Sequence, residues 1–273
     1  MKEISIEELK QLQLDILCKV HQFCQSNEIR YSLAYGTLIG AIRHKGYIPW
    51  DDDIDIMMPR PDYERFLNSF NGTYPELVVM APEKDWSYYA PYANVCDNRT
   101  FLEERTVNHM GNTIGVKIDV FPIDGVPNDF EMYKSHDAEM KKTLNRLGYK
   151  KWRKDNYLKA LENKRGFIIH MSRILSDCFI SFETLQKKHY TMAIKYPYEA
   201  SNFADNVVFN TSNKLLRQPK ECFENYIDVT FEGFKFKAVQ GYDSFLRALY
   251  GDYMKLPPAD KQIPHHGFTA YWK

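Results

Sequence analysis

Four aspartates fall within five positions in Trp50-Asp51-Asp52-Asp53-Ile54-Asp55-Ile56. Their charges repel one another and resist burial, so a counter-charge must lie close by. The alternation after Asp52 indicates how they are used. If residues 53–58 (DIDIMM) enter a β-strand, Asp53 and Asp55 share one face while Ile54 and Ile56 face the core. Two oxygen ligands side by side on a strand suit Mg²⁺ or Mn²⁺, above all where phosphates supply the remaining ligands. The plainer alternative is a solvated acidic turn ahead of a short strand.

The neighbouring sequence favours the metal. Upstream lies Tyr35-Gly36-Thr37-Leu38-Ile39-Gly40, followed by Arg43, His44 and Lys45 and a turn at Gly46 and Pro49. Gly36 permits close approach of a phosphate to the backbone, and Thr37 can donate through its hydroxyl or open a short helix. The amides of a helix start at 37–40 would favour an anion. Arg43, His44 and Lys45 add phosphate donors just before the acids. A further aspartate, Asp119, interrupts the apolar run 116–121 (VKIDVF) and needs a partner if buried. It is either a carboxylate bonded to loop amides, a residue on the wet face of its strand, or a third acid meeting Asp53 and Asp55 at a metal.

These residues need rigid elements to hold them. Leu9, Leu12, Ile16, Val20 and Phe23 recur at helical spacing, which predicts an amphipathic helix over 7–28. A strand is expected at 31–35 and another at 53–58, ended by Pro59-Arg60-Pro61. A short helix over 62–70 follows, with Asp62 as its cap. Further strands are predicted near 77–80, 88–96 and 114–121, the last bounded by Pro122. From 128 to 200 the pattern is mainly helical, with a turn near Gly148, and Val207-Val208-Phe209 is strand-like. Residues 226–239 form a hairpin turning at Glu232-Gly233, and a helix over 242–250 ends at Gly251. The chain therefore divides provisionally into a core at 1–127, a mainly helical region at 128–217 that would bind the acceptor, and a C-terminal hairpin, helix and tail at 218–273 that pack back on the core.

Bulk properties exclude some classes. At 273 residues the chain can bury a substantial core. Lys plus Arg equals Asp plus Glu at 36 each, so nothing points to a nucleic-acid partner. Five scattered cysteines without a Cys-x-x-Cys pair suit a reducing compartment. The amino terminus is too charged for a signal peptide, and no apolar run nears the ~20 residues of a membrane span. A cytoplasmic protein is expected, with peripheral association at the inner membrane face left open.

Three blocks together carry a resemblance: YSLAYGTLIGAIRHKGYIPWDDDIDIMMPRPDYERF (31–66), IDVFPIDG (118–125), and LYGDYMKLPP (249–258) followed by His265 and His266. In this order they are similar to the LicD family of the nucleotidyltransferase-fold superfamily. The resemblance implies an α+β fold: a nucleotidyltransferase-like mixed β-sheet core flanked by helices, with a helical insertion or second subdomain. It implies Mg²⁺-dependent transfer of phosphocholine from CDP-choline to a sugar hydroxyl of a teichoic acid, lipopolysaccharide or lipid-linked glycan, releasing CMP. Relatives transfer ribitol phosphate or other phospho-alcohols from CDP-alcohols, so glycerol phosphate is also open. Gly36 and Thr37 match the family's glycine–hydroxyl turn, and Asp53 and Asp55 its metal-binding pair. Asp51 corresponds to an acid near the metal and Asp119 to the third acidic position, as ligand or base. Arg43, with Lys45, would neutralise the transferred phosphate, and His265 and His266 would contact substrate. Nucleotidyl transfer to a small molecule needs the same cation-bridged diphosphate and stays open. A choline headgroup would need an aromatic cage, for which Trp86, Tyr88, Tyr89 and Tyr92 are candidate walls.

Overall fold

The computed structural model describes residues 1–104, 113–151, 180–212, 214–263 and 267–273. Apolar residues at three- and four-residue spacing form helix α1 (Ile6–Ser26), which buries Leu9, Ile16, Leu17, Val20 and Phe23. Ser5 caps it, its hydroxyl accepting from the Glu8 amide at 3.2 Å. The helix lies against the central sheet, packing on strands β5 (Ala93–Asp97) and β7 (Lys117–Val126).

That sheet runs β2 (Ser32–Leu33), β3 (Asp55–Pro59), β7, β5, β4 (Leu77–Met80). Strands β3 and β7 are parallel and the other pairs antiparallel. At its far end β7 also pairs with β8 (Phe203–Asp205), which pairs with β9 (Gln218–Pro219). A separate three-stranded sheet joins β1 (Lys2–Glu3) and β6 (Thr100–Glu104) through β12 (Phe268–Trp272), so the two ends of the chain meet. The hairpin β10 (Tyr226–Phe231) and β11 (Phe234–Val239) turns at Glu232-Gly233, both with positive φ, as the sequence predicted. Ser32 Oγ accepts from the Val239 amide at 2.9 Å, so this hairpin packs on β2. Mixed sheet and flanking helices make the α+β architecture expected from the sequence.

Several boundaries differ from the sequence reading, each for a local reason. The strand expected at 88–96 begins only at Ala93, because Pro91 lacks an N–H and Tyr88 and Tyr89 turn inward to be buried. Strand β7 continues through Pro122 instead of stopping there. Pro122 lies where β5, paired to residues 117–120, has left and β8, paired to 124–126, has not arrived. Helix α3 (Arg60–Ser69) starts at Arg60, so Asp62 lies inside its first turn and is not the cap. Its carboxylate instead accepts from the Arg30 amide at 3.1 Å and the Arg30 Nε at 2.7 Å. Helix α4 (Phe130–Lys150) passes through Gly148 without a turn, because Leu147 packs with Phe182 and Leu185 of helix α5 (Phe182–Ala193) and offsets the weak helix propensity of glycine. Val207-Val208-Phe209 is not a strand. The Asn206 side chain accepts from the Phe209 amide at 3.2 Å and closes a turn there. The terminal helix α6 (Tyr242–Tyr250) ends at Gly251 with φ 72°, as read from the sequence. No helix among the described residues is long and apolar enough to cross a membrane.

Below the sheet, Arg60 ties the end of β3 to the end of β7. Its Nε and Nη2 meet the two oxygens of Asp124 at 2.6 and 2.9 Å, and Nη1 reaches Glu83 at 3.2 Å. All three polar heads are shielded from water. Removing the guanidinium leaves two uncompensated carboxylates, so Arg60→Ala is expected to lower stability by about 3–5 kcal/mol in urea unfolding. Replacing all three, Arg60→Met with Asp124→Leu and Glu83→Met, should recover much of that loss. Equal damage from the single and triple variants would show that this ion group is not the source.

Candidate functional site

The parallel pairing of β3 with β7 places Asp55 directly opposite Asp119, and the Asp119 amide donates to the Ile54 carbonyl at 2.9 Å. Ile54 and Ile56 are fully buried, which sends Asp55 between them to the other face as the alternation predicted, but β3 begins at Asp55 and not at the expected residue 53. Asp53 precedes the strand and is half-buried, while Asp55 is nearly buried. Burial, followed by the charges of Asp53, Asp119 and Asp51, holds the Asp55 carboxyl well above the usual carboxylate range.

Asp119 is held by three donors. Asn94 Nδ2 reaches Oδ1 at 2.5 Å, the Tyr92 hydroxyl reaches Oδ2 at 3.2 Å, and the Lys117 ammonium ion-pairs with Oδ1. Burial alone would push the Lys117 ammonium down, yet Asp119 holds it well above its usual range. Lys117 and Asn94 were missed in the sequence, although Lys117 stands two residues before Asp119 and so shares its strand face. Gln13 of α1 was missed too. Its amide donates to the Asp52 carbonyl at 3.0 Å and the Lys117 carbonyl at 3.4 Å, joining the acidic loop to β7.

The upstream turn differs from the expected cradle. Helix α2 (Tyr35–Ile39) starts at Tyr35, itself at φ 46°, and runs into a π turn through His44. The amides of Leu38 and Gly40 are therefore spent on the Ala34 and Gly36 carbonyls and offer nothing to an anion. Thr37 is buried, and its hydroxyl accepts from the Asp55 amide at 2.8 Å, fixing where β3 begins. Gly36 does permit a close approach, but by a side chain: a Cβ there would lie 2.5 Å from Asp51 Oδ2.

The basic residues separate. Arg43 Nη1 donates to the Tyr253 carbonyl at 2.5 Å, its Nε donates to His44 Nε2 at 2.9 Å, and it lines a cavity. His44 stands edge-on to Trp50, and burial pushes its imidazole down. Lys45 is exposed, donates to the Ile42 carbonyl, and faces the hairpin turn, where its own carbonyl accepts from the Glu232 amide. His265 and His266 lie outside the described residues.

Two cavities meet at the aspartates. One of about 1120 Å³ has Gly36, Arg43, Asp51 and Lys255 in its wall, and one of about 540 Å³ has Lys117, Asp119, Asp205 and Phe209. Asp53, Asp55, Tyr35 and Tyr250 line both. Reactants held in the two cavities would meet at the carboxylates that both share. Among the described residues no group of three His, Cys, Asp or Glu side chains is gathered closely enough to hold a metal ion by itself. The donor set nevertheless fits a hard divalent cation: the facing acids are oxygen donors, Asp55 is strained by its like-charged neighbours, and Asp119 already draws in an ammonium. Mg²⁺ is commonly held by one or two carboxylates with substrate phosphates and water, so a full protein cage is not required.

The raised Asp55 carboxyl has a measurable consequence. Between its unfolded and folded pKa values the folded state binds more protons, so stability falls as pH rises through that window. Asp55→Asn removes this penalty. In chelator, the variant should melt higher than the unsubstituted protein at pH 8, with a smaller difference at pH 5. A gap that does not widen with pH would contradict the burial argument.

Residues 28–146 match the model of the LicD/FKTN/FKRP nucleotidyltransferase domain. Over an alignment of 280 residues, spanning 99% of each chain, the sequence is 35% identical to the lipopolysaccharide cholinephosphotransferase LicD of Haemophilus influenzae. It is 43% identical over 67 residues to an uncharacterised protein of Rickettsia typhi, covering 24% of this chain and 22% of that one. It is also 43% identical over 109 residues to an uncharacterised protein of Rickettsia prowazekii, covering 33% and 41% respectively. The facing aspartates of β3 and β7 lie within the matched domain, and the full-length similarity extends through the C-terminal hairpin and helix: the chain belongs to the LicD/FKTN/FKRP nucleotidyltransferase family.

Proposed function

We propose that this protein transfers phosphocholine from CDP-choline to a sugar hydroxyl of a cell-surface glycan or its lipid-linked precursor, releasing CMP. The observation that carries this reading is the near-complete alignment with a lipopolysaccharide cholinephosphotransferase. The facing Asp55 and Asp119 where two cavities join support it by giving donor and acceptor a common meeting point.

Asp53 and Asp55 would hold Mg²⁺ or Mn²⁺, and Asp119, which does not form a three-ligand group with them among the described residues, would have to shift toward the cation to join as a third ligand. When bound, the cation neutralises the donor diphosphate and the charge that develops on the departing CMP. Asn94 and Tyr92 fix the Asp119 carboxylate in one orientation, an arrangement suited to a ligand. Lys117 would stay paired with Asp119, so that ammonium and carboxylate offset each other beside the cation. Arg43 positions the segment 253–255 at the rim of the larger cavity and adds positive charge there. Asp51 lies over Gly36 beside the metal ligands, where it would bond water on the cation. Thr37 acts through Asp55 by setting the start of its strand. A glycan still attached to its lipid carrier would bring the protein to the inner membrane face as a peripheral partner.

The test is a mass-resolved turnover assay with Mg²⁺, CDP-choline and glycan acceptors. CMP release should accompany a phosphocholine mass gain on the acceptor, stop in chelator and return with Mg²⁺. Asp53→Asn and Asp55→Asn should each lower kcat/KM by about a thousandfold, equivalent to several kcal/mol of lost transition-state stabilisation. Gain from CDP-ribitol or CDP-glycerol alone would change the transferred alcohol. Diphosphate release from a nucleoside triphosphate would replace this reading with nucleotidyl transfer.

A further inference from the structure

Both cavities mix acids and cations, and they differ in what those cations do. Around the larger one Arg43, Lys255 and Lys261 stand with Asp51 and Asp252, leaving one more cation than acid beside the shared aspartates, as suits a phosphate-bearing ligand. In the smaller one Lys117 is committed to Asp119, and the ammonium of Lys151 lies 5.6 Å over the Tyr89 ring. Its wall already attracts a cation through an aromatic face. Tyr92 and Phe121 pack with ring centroids 4.3 Å apart, and Phe209 stands edge-on to Tyr92 at 5.0 Å. Phe209 is 36% exposed, on the turn closed by Asn206.

Asp205 lines the same cavity and is 4% exposed. Its carboxylate accepts from the Tyr133 hydroxyl at 2.7 Å, and no lysine, arginine or histidine among the described residues forms an ion pair with it. Burial pushes its carboxyl up to about 7. An ionised carboxylate in such a place is costly without a cation beside it. A quaternary ammonium cannot donate a conventional hydrogen bond, so it is recognised by ring faces and a compensating carboxylate. Of the aromatic residues foreseen for this task, Tyr89 and Tyr92 line the cavity. Trp86 and Tyr88 do not, and the Tyr88 hydroxyl instead bonds Asn94 behind it.

We propose that the smaller cavity seats the trimethylammonium of the transferred group, with Phe209, Tyr92 and Phe121 supplying the aromatic wall and Asp205 the compensating charge. This rests on the phosphocholine-transfer reading and deepens it. The headgroup lies on the aromatic, acidic side, the diphosphate at Asp53 and Asp55, and anionic parts of the reactants on the basic side. A polyol headgroup such as ribitol or glycerol gains nothing from these rings.

Headgroup preference tests the assignment. The protein, Phe209→Ala, Phe209→Leu and Asp205→Asn would be assayed with Mg²⁺ and acceptor against CDP-choline and CDP-glycerol, with CMP affinity measured separately by calorimetry. The unsubstituted protein should favour CDP-choline by at least tenfold in kcat/KM. Phe209→Ala and Asp205→Asn should each reduce that preference by about tenfold, mainly through a higher KM for CDP-choline, with CMP affinity kept within about twofold. Phe209→Leu keeps apolar bulk without a ring and should also lose preference. If CMP affinity falls as far as CDP-choline affinity, the cavity holds the cytosine and the assignment is overturned. Unchanged preference in folded variants overturns it as well. Phe209 is at the surface, so its variants decide the matter even if Asp205→Asn does not fold. Failure of the unsubstituted protein to use CDP-choline would instead sink the transferase reading itself.

Discussion

The register between β3 and β7 is the constraint on which the rest of the site depends. A shift of one residue would turn Asp55 into the core and Ile56 toward the cavities. Features at both ends of the pair prevent this. At the start of β3, the Thr37 hydroxyl holds the Asp55 amide, and beyond its end Arg60 clasps Asp124. Buried isoleucines between them leave the aspartates only one face to occupy. The geometry of two carboxylates thus follows from apolar packing and one buried ion pair located elsewhere.

The surrounding chain is arranged to support that register. Gln13 of the first helix reaches across to the carbonyls of Asp52 and Lys117, bonding both acidic segments at once. The hairpin β10–β11 packs on β2, and its turn residue Glu232 accepts from the Tyr47 amide at 2.9 Å, bracing the turn between the π segment and the acids. Residues distant in sequence therefore position the loop.

Acids and cations mix on both sides of the acidic centre. Arg43, Lys255 and Lys261 stand with Asp51 and Asp252 around one cavity, and Phe209, Tyr92, Phe121 and Asp205 stand with Lys117 and Lys151 around the other. The acids between them repel one another in the protein alone, as the raised Asp55 carboxyl records. Such a site is poised to gain from binding a cation, because binding relieves a repulsion that folding created.

Local pattern was enough to place α1, the hairpin turn at Glu232-Gly233, the close of α6 at Gly251 and the outward face of Asp55, because each rests on periodicity or on a backbone conformation that few residues accept. The motif order likewise identified the family before any contact was known. Partnership was not legible in this way. Nothing local to Asp62 announces Arg30, and nothing near Asp119 announces Asn94, because such pairs are set by strand order and helix placement. Thr37 and Gly36 also have structural roles that local sequence did not show: one orders a strand and the other admits Asp51, and both depend on chain brought back from elsewhere. Even Pro122, a stop signal in isolation, sits within β7 because, on the edge away from β3, β5 has ended and β8 has not begun at that position. The sequence by itself determined which residues would be acidic, apolar or turning. Only the tertiary structure decided which carboxylates face each other, because that distance is set by the pairing of two strands more than fifty residues apart in the chain.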